Sequence, residues 1–233
     1  LSDFNKAIEI NPTDADSYKK RSRLNFSLDN LEGAIVDETK ALEINPTDSN
    51  SYFNRGLAKD GLEDIEGAIA DFNKAIEINP SYANAYYKRG MAKDQLEDIK
   101  GALSDFNKAI EINPNFAYAY YARAAVKTKF KDLDGAIADF SKVIKIDPNF
   151  FDAYFKLGLA KSVAEDYDGA IADFSKAIKI DPNFADAYYC RAEVKGKVAD
   201  LDGAIADYNK AKELGDEMAN ERINLIEEYR RSL

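Results

Sequence analysis

Six prolines stand in the 233-residue chain, at Pro12, Pro46, Pro80, Pro114, Pro148 and Pro182, each 34 residues beyond the last. Proline ends a helix, because it lacks the N–H that continues the hydrogen-bond ladder and pushes the residue before it out of helical geometry. A stop signal repeated at one fixed spacing, without a single insertion, demands one structural unit stacked on copies of itself. The segments that end in these prolines agree. DFNKAIEINP occupies 3–12, 71–80 and 105–114, with near copies DETKALEINP at 37–46, DFSKVIKIDP at 139–148 and DFSKAIKIDP at 173–182.

One unit, 83–116, reads as two helices. Its second half places Ile99, Ala102, Leu103, Phe106, Ala109 and Ile110 on one helical stripe. Asp98 precedes that stripe as an N-cap, and Pro114 closes it. The first helix is expected from about Ala83 to Leu96. A single helix pair buries too little to stand alone, so neighbouring pairs must stack.

Small residues recur where backbones are expected to meet: Ala34, Ala68, Ala102, Ala136, Ala170 and Ala204 in one register, and Ser22, Gly56, Gly90, Ala124, Gly158 and Ala192 in another. Two aromatic columns, Tyr18, Tyr52, Tyr86, Tyr120, Tyr154, Tyr188 and Phe72, Phe106, Phe140, Phe174, Tyr208, are read as core.

This pattern resembles the tetratricopeptide repeat, whose 34-residue unit carries an aromatic, a small residue, Ala, an aromatic, Ala and Pro; the third unit shows Tyr86, Gly90, Ala102, Phe106, Ala109 and Pro114. The resemblance implies an all-α fold, a right-handed α-solenoid of helix-turn-helix units. The expected divisions are the second helix of a truncated repeat at 1–14, six units at 15–48, 49–82, 83–116, 117–150, 151–184 and 185–218, and a capping helix at 219–233. It also implies that the first helices line a concave groove that binds a peptide or partner protein.

Some positions depart from the family. Where leucine is common, Arg21, Arg55, Arg89, Arg123 and Arg191 appear, with Leu157 in the fifth unit, while Asp37, Asp71, Asp105, Asp139, Asp173 and Asp207 recur on the second helices. An Arg–Asp pair tying the two helices of a unit together is expected, since a guanidinium near a core needs a partner. Gly33, Gly67, Gly101, Gly135, Gly169 and Gly203 open the second helices, against helix propensity. Close approach to the neighbouring helix is the expected reason. At the end, Met218, Arg222, Leu225, Ile226 and Tyr229 share one face of the expected cap, and residue 233 reads as near the natural C-terminus. Leu1 falls inside a repeat, so the chain reads as a fragment, and a cytoplasmic location is expected with secretion left open.

Composition narrows the chemistry. A net charge of −10 opposes nucleic-acid binding, which rests on a basic footprint. Apolar runs are too short for membrane insertion. One cysteine and no histidine leave few catalytic or metal-binding sets. DYDG at 166–169 and DLDG at 132–135 and 200–203 lack the remaining calcium ligands, and GLAKDGL at 56–62 has Leu62 where a phosphate loop needs lysine. No catalytic residue, metal ligand or cofactor is therefore assigned.

Function is expected on the first-helix face. Phe53, Tyr87, Tyr121, Phe155 and Tyr189 form an aromatic column, with Leu57, Met91 and Leu159 one turn further on. Such a column either packs between neighbouring helices or offers binding anchors. The first unit replaces it with YKKRSRLNF, a basic spot. Some family members clamp a peptide's terminal carboxylate with Lys, Asn, Asn, Lys and Arg; the matching positions here are Lys19, Arg23, Asn54, Asn84 and Lys88, a partial match that suits a looser acidic-peptide site. Two readings of function remain: a non-catalytic scaffold that binds a peptide or protein partner, or a structural array that self-associates or serves a larger enzyme encoded upstream.

Overall fold

The computed structural model describes residues 1–232, which form fourteen α-helices and no strand. They divide into two compact units, Leu1–Ala119 and Tyr120–Leu233. The first unit holds α1 (Ser2–Ile10), α2 (Ala15–Ser27), α3 (Leu31–Ile44), α4 (Ser49–Gly61), α5 (Ile65–Ile78), α6 (Ala83–Gln95) and α7 (Ile99–Ile112). The boundary falls within α8 (Ala117–Lys129). Beyond it lie α9 (Leu133–Ile146), α10 (Phe151–Val163), α11 (Tyr167–Ile180), α12 (Ala185–Lys197), α13 (Leu201–Glu213) and α14 (Ala219–Ser232). In each unit, consecutive helices joined by short turns pack as antiparallel hairpins, and each hairpin rests on the next.

The local signals act as their chemistry requires. Asp64 and Asp98 each accept the backbone N–H three residues on, from Gly67 and Gly101, at 3.0 Å. A Cβ on Gly67 would lie 2.1 Å from the Asp64 carboxylate, and one on Gly101 as close to that of Asp98. These glycines therefore make room first for the capping carboxylate, and at Gly101 the Lys93 stem of the neighbouring α6 would also lie 2.9 Å from such a Cβ. The residue before each proline is extended, as at Asn79 (φ −127°, ψ 90°), and its side chain accepts the N–H of Ser81 at 3.1 Å. Between the two helices of each hairpin, one residue takes left-handed geometry: Asp29, Glu63, Glu97, Lys131, Glu165 and Ala199 have φ near +60°.

The core consists of small residues meeting rings. Phe72, Phe106, Phe140, Phe174 and Tyr208 are buried, each such side chain contributing roughly 1.5–3 kcal/mol of hydrophobic stabilisation. A Cβ on Gly56, Gly90 or Gly158 would come within 2.6–2.8 Å of the ring of Phe72, Phe106 or Phe174. The tyrosine column read as core is different: Tyr18 is 9% exposed, but Tyr52, Tyr86, Tyr120, Tyr154 and Tyr188 are only half-buried. Where the arginine is present, its guanidinium covers the tyrosine ring, at 5.5 Å for Arg55 over Tyr52 and 5.3 Å for Arg89 over Tyr86.

The Arg–Asp pair is present and is larger than the sequence suggested. Arg89 donates twice to Asp105, at 2.9 and 2.6 Å, and Lys93 Nζ lies 2.8 Å from the same carboxylate. The arginine's remaining arm reaches Asn73 on the preceding hairpin at 2.6 Å. Arg55 does the same with Asp71, Lys59 and Thr39, and Arg191 with Asp207, Lys195 and Ser175. In the fifth repeat Leu157 joins the core instead, and Asp173 keeps Lys161 at 2.6 Å. Burial there raises the Asp173 carboxyl above its usual range despite that lysine.

On α14 the packed side chains are Ala219, Ile223 and Ile226, set against Ala211 and Tyr208. Met218, Leu225 and Tyr229 are largely exposed, so the buried face is turned from the one read off the sequence. No helix among the described residues is long and apolar enough to cross a membrane.

Candidate functional site

The aromatic column packs first and is accessible second. Phe53 lies 5.8 Å from Phe72, the core ring of its own repeat, and 4.9 Å from Tyr82, which opens the next hairpin. Tyr87 meets Phe106 at 6.2 Å and Phe116 at 5.1 Å. Tyr121 stacks on Phe150 at 5.2 Å, and its hydroxyl donates to Asp152. Phe155 contacts Phe174 and Phe184, with Leu159 in the same cluster, and is only 7% exposed. Tyr189 packs on Tyr208 at 5.3 Å, and its hydroxyl accepts from Arg222. Except for Phe155, these rings keep part of their surface open.

The first repeat replaces all three members of this aromatic set. Lys19 stands where Phe53 and Tyr87 stand, Glu38 where Phe72 and Phe106 stand, and Asp48 where Tyr82 and Phe116 stand. Lys19 Nζ lies 2.8 Å from Asp16 and 3.1 Å from Asp48, and the hydrogen bond to Asp16 raises the lysine's pKa. Glu38 is fully buried and receives the Asn54 amide at 3.2 Å on Oε1; Oε2 has no hydrogen-bond partner. Burial pushes the Glu38 carboxyl up, an effect the adjacent Ser51 and Ser22 hydroxyls and Asn54 only partly oppose.

Because glutamate fills less space than the ring it replaces, a cavity of about 140 Å³ opens between α2, α3 and α4, lined by Ser22, Arg23, Phe26, Glu38, Asn54 and Leu57. Three of these, Arg23, Asn54 and Leu57, were candidates from the sequence; Ser22 was assigned to packing, and Glu38 and Phe26 were missed. The signal for Glu38 lay in the repeated segment itself, where DETKALEINP carries Glu in the phenylalanine column.

Of the five positions matched to the carboxylate clamp, Lys19 and Asn54 are engaged with neighbouring carboxylates. Arg23 and Asn84 are exposed, and Lys88 lies 5.9 Å above the Tyr87 ring. Met91 is half-buried on α6. Cys190, half-buried on α12, has its thiol pushed up to about 11 by burial and by Asp186 and Glu193, so it stays protonated at neutral pH.

Comparison with known proteins places these repeats. Family profiles described as TPR repeat match residues 62–96, 131–161 and 164–198, and those described as tetratricopeptide repeat match 83–116 and 106–138. The chain belongs to the tetratricopeptide repeat family, and its fold is an α-solenoid of that class.

Among solved structures, it is similar to YrrB, described as a TPR protein with an unusual peptide-binding site, at 30% identity and a TM-score of 0.64 over 79% of this chain and 95% of that one. It is also similar to MamA, at 26% identity and a TM-score of 0.65 over 74% and 94% of the two chains. PilF of Pseudomonas aeruginosa shares the fold with a TM-score of 0.76 at 17% identity, over 89% of this chain and 95% of that one. No curated protein sequence matches.

Proposed function

We propose that the chain is a non-catalytic binding module that takes a peptide, or an extended segment of a partner protein, along the first helices of its N-terminal repeats. The observation that carries this reading is the cavity of the first repeat, with apolar walls and the Glu38 carboxyl among its lining, at a place that the following repeats close with aromatic rings. Family membership and the likeness to YrrB support it. The exposed Arg23 on α2 and Lys88 on α6 give the first-helix face a preference for an acidic residue in the peptide. Phe53, Tyr87 and Met91 supply partly open apolar surface beside them.

A test selects peptides from a displayed random dodecamer library and measures their affinity for the wild type and for an Arg23→Glu, Leu57→Ser, Lys88→Glu variant, with folding checked by circular dichroism. Binding weakened at least tenfold in the folded variant supports the reading. Undiminished binding, or no selected peptide, contradicts it.

A further inference from the structure

We infer that the cavity between α2, α3 and α4 is a subsite for one basic side chain of the bound peptide, lysine or arginine, with Glu38 as its anionic partner. The inference rests on the peptide-binding reading above and adds to it the chemistry of one recognised residue.

Four observations converge. A carboxylate as deeply buried as Glu38 normally has every oxygen satisfied, yet Oε2 has no well-formed hydrogen bond, with only the Ser22 and Ser51 hydroxyls beside the carboxyl. Glu38 is in no ion pair with a lysine or arginine of the described residues; the charges that bear on it from a distance are those of Asp48 and Arg55. A cation entering the cavity would give this carboxylate the direct counter-charge it lacks. Inside the cavity Glu38 Oε2, the Ser22 hydroxyl oxygen and the carbonyl of Asn54 offer acceptors, while one Asn54 N–H is given to Glu38 and Arg23 stands on the wall. Finally, Phe26, 45% exposed, and Leu57 provide apolar walls for a methylene stem, as long basic side chains require.

A neutral guest would leave the carboxylate's charge unopposed, and an anionic one would meet it directly. Arg23 is exposed rather than buried with Glu38, so its repulsion of an entering cation is screened by water, and it remains available to an acidic neighbour in the same peptide.

The test titrates n-butylguanidinium into the ¹⁵N-labelled chain, with n-butanol and butyrate as comparators and Glu38→Gln, which keeps the side chain's shape, as the variant. Saturable shifts at Ser22, Glu38, Asn54 and Leu57 with the guanidinium, weakened at least tenfold in the variant and absent with butyrate, support the subsite. Equal shifts from n-butanol, unchanged binding in the variant, or no saturable shift overturn it.

The selected dodecamers separate this inference from the broader one. Peptides that bind but tolerate replacement of every lysine and arginine by alanine overturn the subsite and leave the peptide-binding reading standing. Glu38-dependent guanidinium binding with no selected peptide supports the cation site and removes the broader reading.

Discussion

The first repeat and the second differ at three positions that touch, and the difference separates what the array needs for stacking from what it can give to recognition. In the second repeat Phe53, Phe72 and Tyr82 form a continuous aromatic contact. In the first, Lys19, Glu38 and Asp48 occupy the same registers, an ion pair replaces one ring contact, and a cavity replaces the core ring. The backbone does not register the change, since α2 and α4 each have thirteen residues and cap with Asp14 and Asp48. Repeat geometry is thus carried by caps, small residues and the Arg–Asp pair, which takes Asn25 in place of the lysine in the first repeat, and the ring column is free to vary where the fold can bear it.

The largest effect is expected at that pair. Asp105→Ala leaves Arg89 and Lys93 facing each other without their shared anion, which costs about 3 kcal/mol in urea unfolding. Asp173→Ala, in the repeat where Leu157 has removed the arginine, costs about half as much; equal losses would show that the arginine adds nothing.

Next is the Gly–Phe contact. Gly90→Leu drives a side chain into Phe106 and costs about 2 kcal/mol. Gly90→Ala costs less than Gly90→Leu but still displaces the Phe106 ring, which a Cβ would meet at 2.7 Å; Ala124 and Ala192 show that the register can adjust to a methyl group.

A smaller effect with a distinctive pH signature is expected at Glu38. Burial holds its carboxyl above the ordinary range, so the folded chain keeps the proton to higher pH than the unfolded one. That contribution favours folding below the unfolded-state value and is lost as pH rises through the raised one. Glu38→Gln therefore gains about 1 kcal/mol over the wild type at pH 7, and the gain shrinks as the pH is lowered towards 4. A gain independent of pH would mean the buried charge is not its source.

The smallest effect is at Gly67→Ala. A Cβ there displaces the Asp64 cap, a loss of about 1 kcal/mol that the helix propensity of alanine offsets by a similar amount.

Much of this organisation was legible in the sequence, because proline, cap and small-residue spacing act locally. Pro114, Asp98 and Gly90 each do in the structure what their chemistry dictates. The Arg–Asp pair was legible because a charge in a core register must find its opposite. Lys93 was not read as part of it, since a lysine on a helix reads as solvated surface until the carboxylate is seen beneath it.

The left-handed turn residues were invisible, because Asp29, Glu63, Lys131 and Ala199 carry none of the glycine that usually marks such geometry. Tyr52 and Tyr86 were misread as core because periodicity counts a ring as buried and cannot see the guanidinium lying over it. The cavity was hidden for a related reason: it exists through what Glu38 does not fill, and only comparison of one column across repeats exposes it.

The central claim is that the first repeat gives up core stability for a recognition pocket. Its most direct test is the variant Lys19→Tyr, Ser22→Ala, Glu38→Phe, which rebuilds these positions as the fourth repeat has them at Tyr121, Ala124 and Phe140. Urea unfolding and the affinity for a selected peptide are measured on the same preparation. The account predicts a chain more stable by about 2 kcal/mol whose peptide binding is lost. A variant that is less stable, or one that binds as the wild type does, would contradict it.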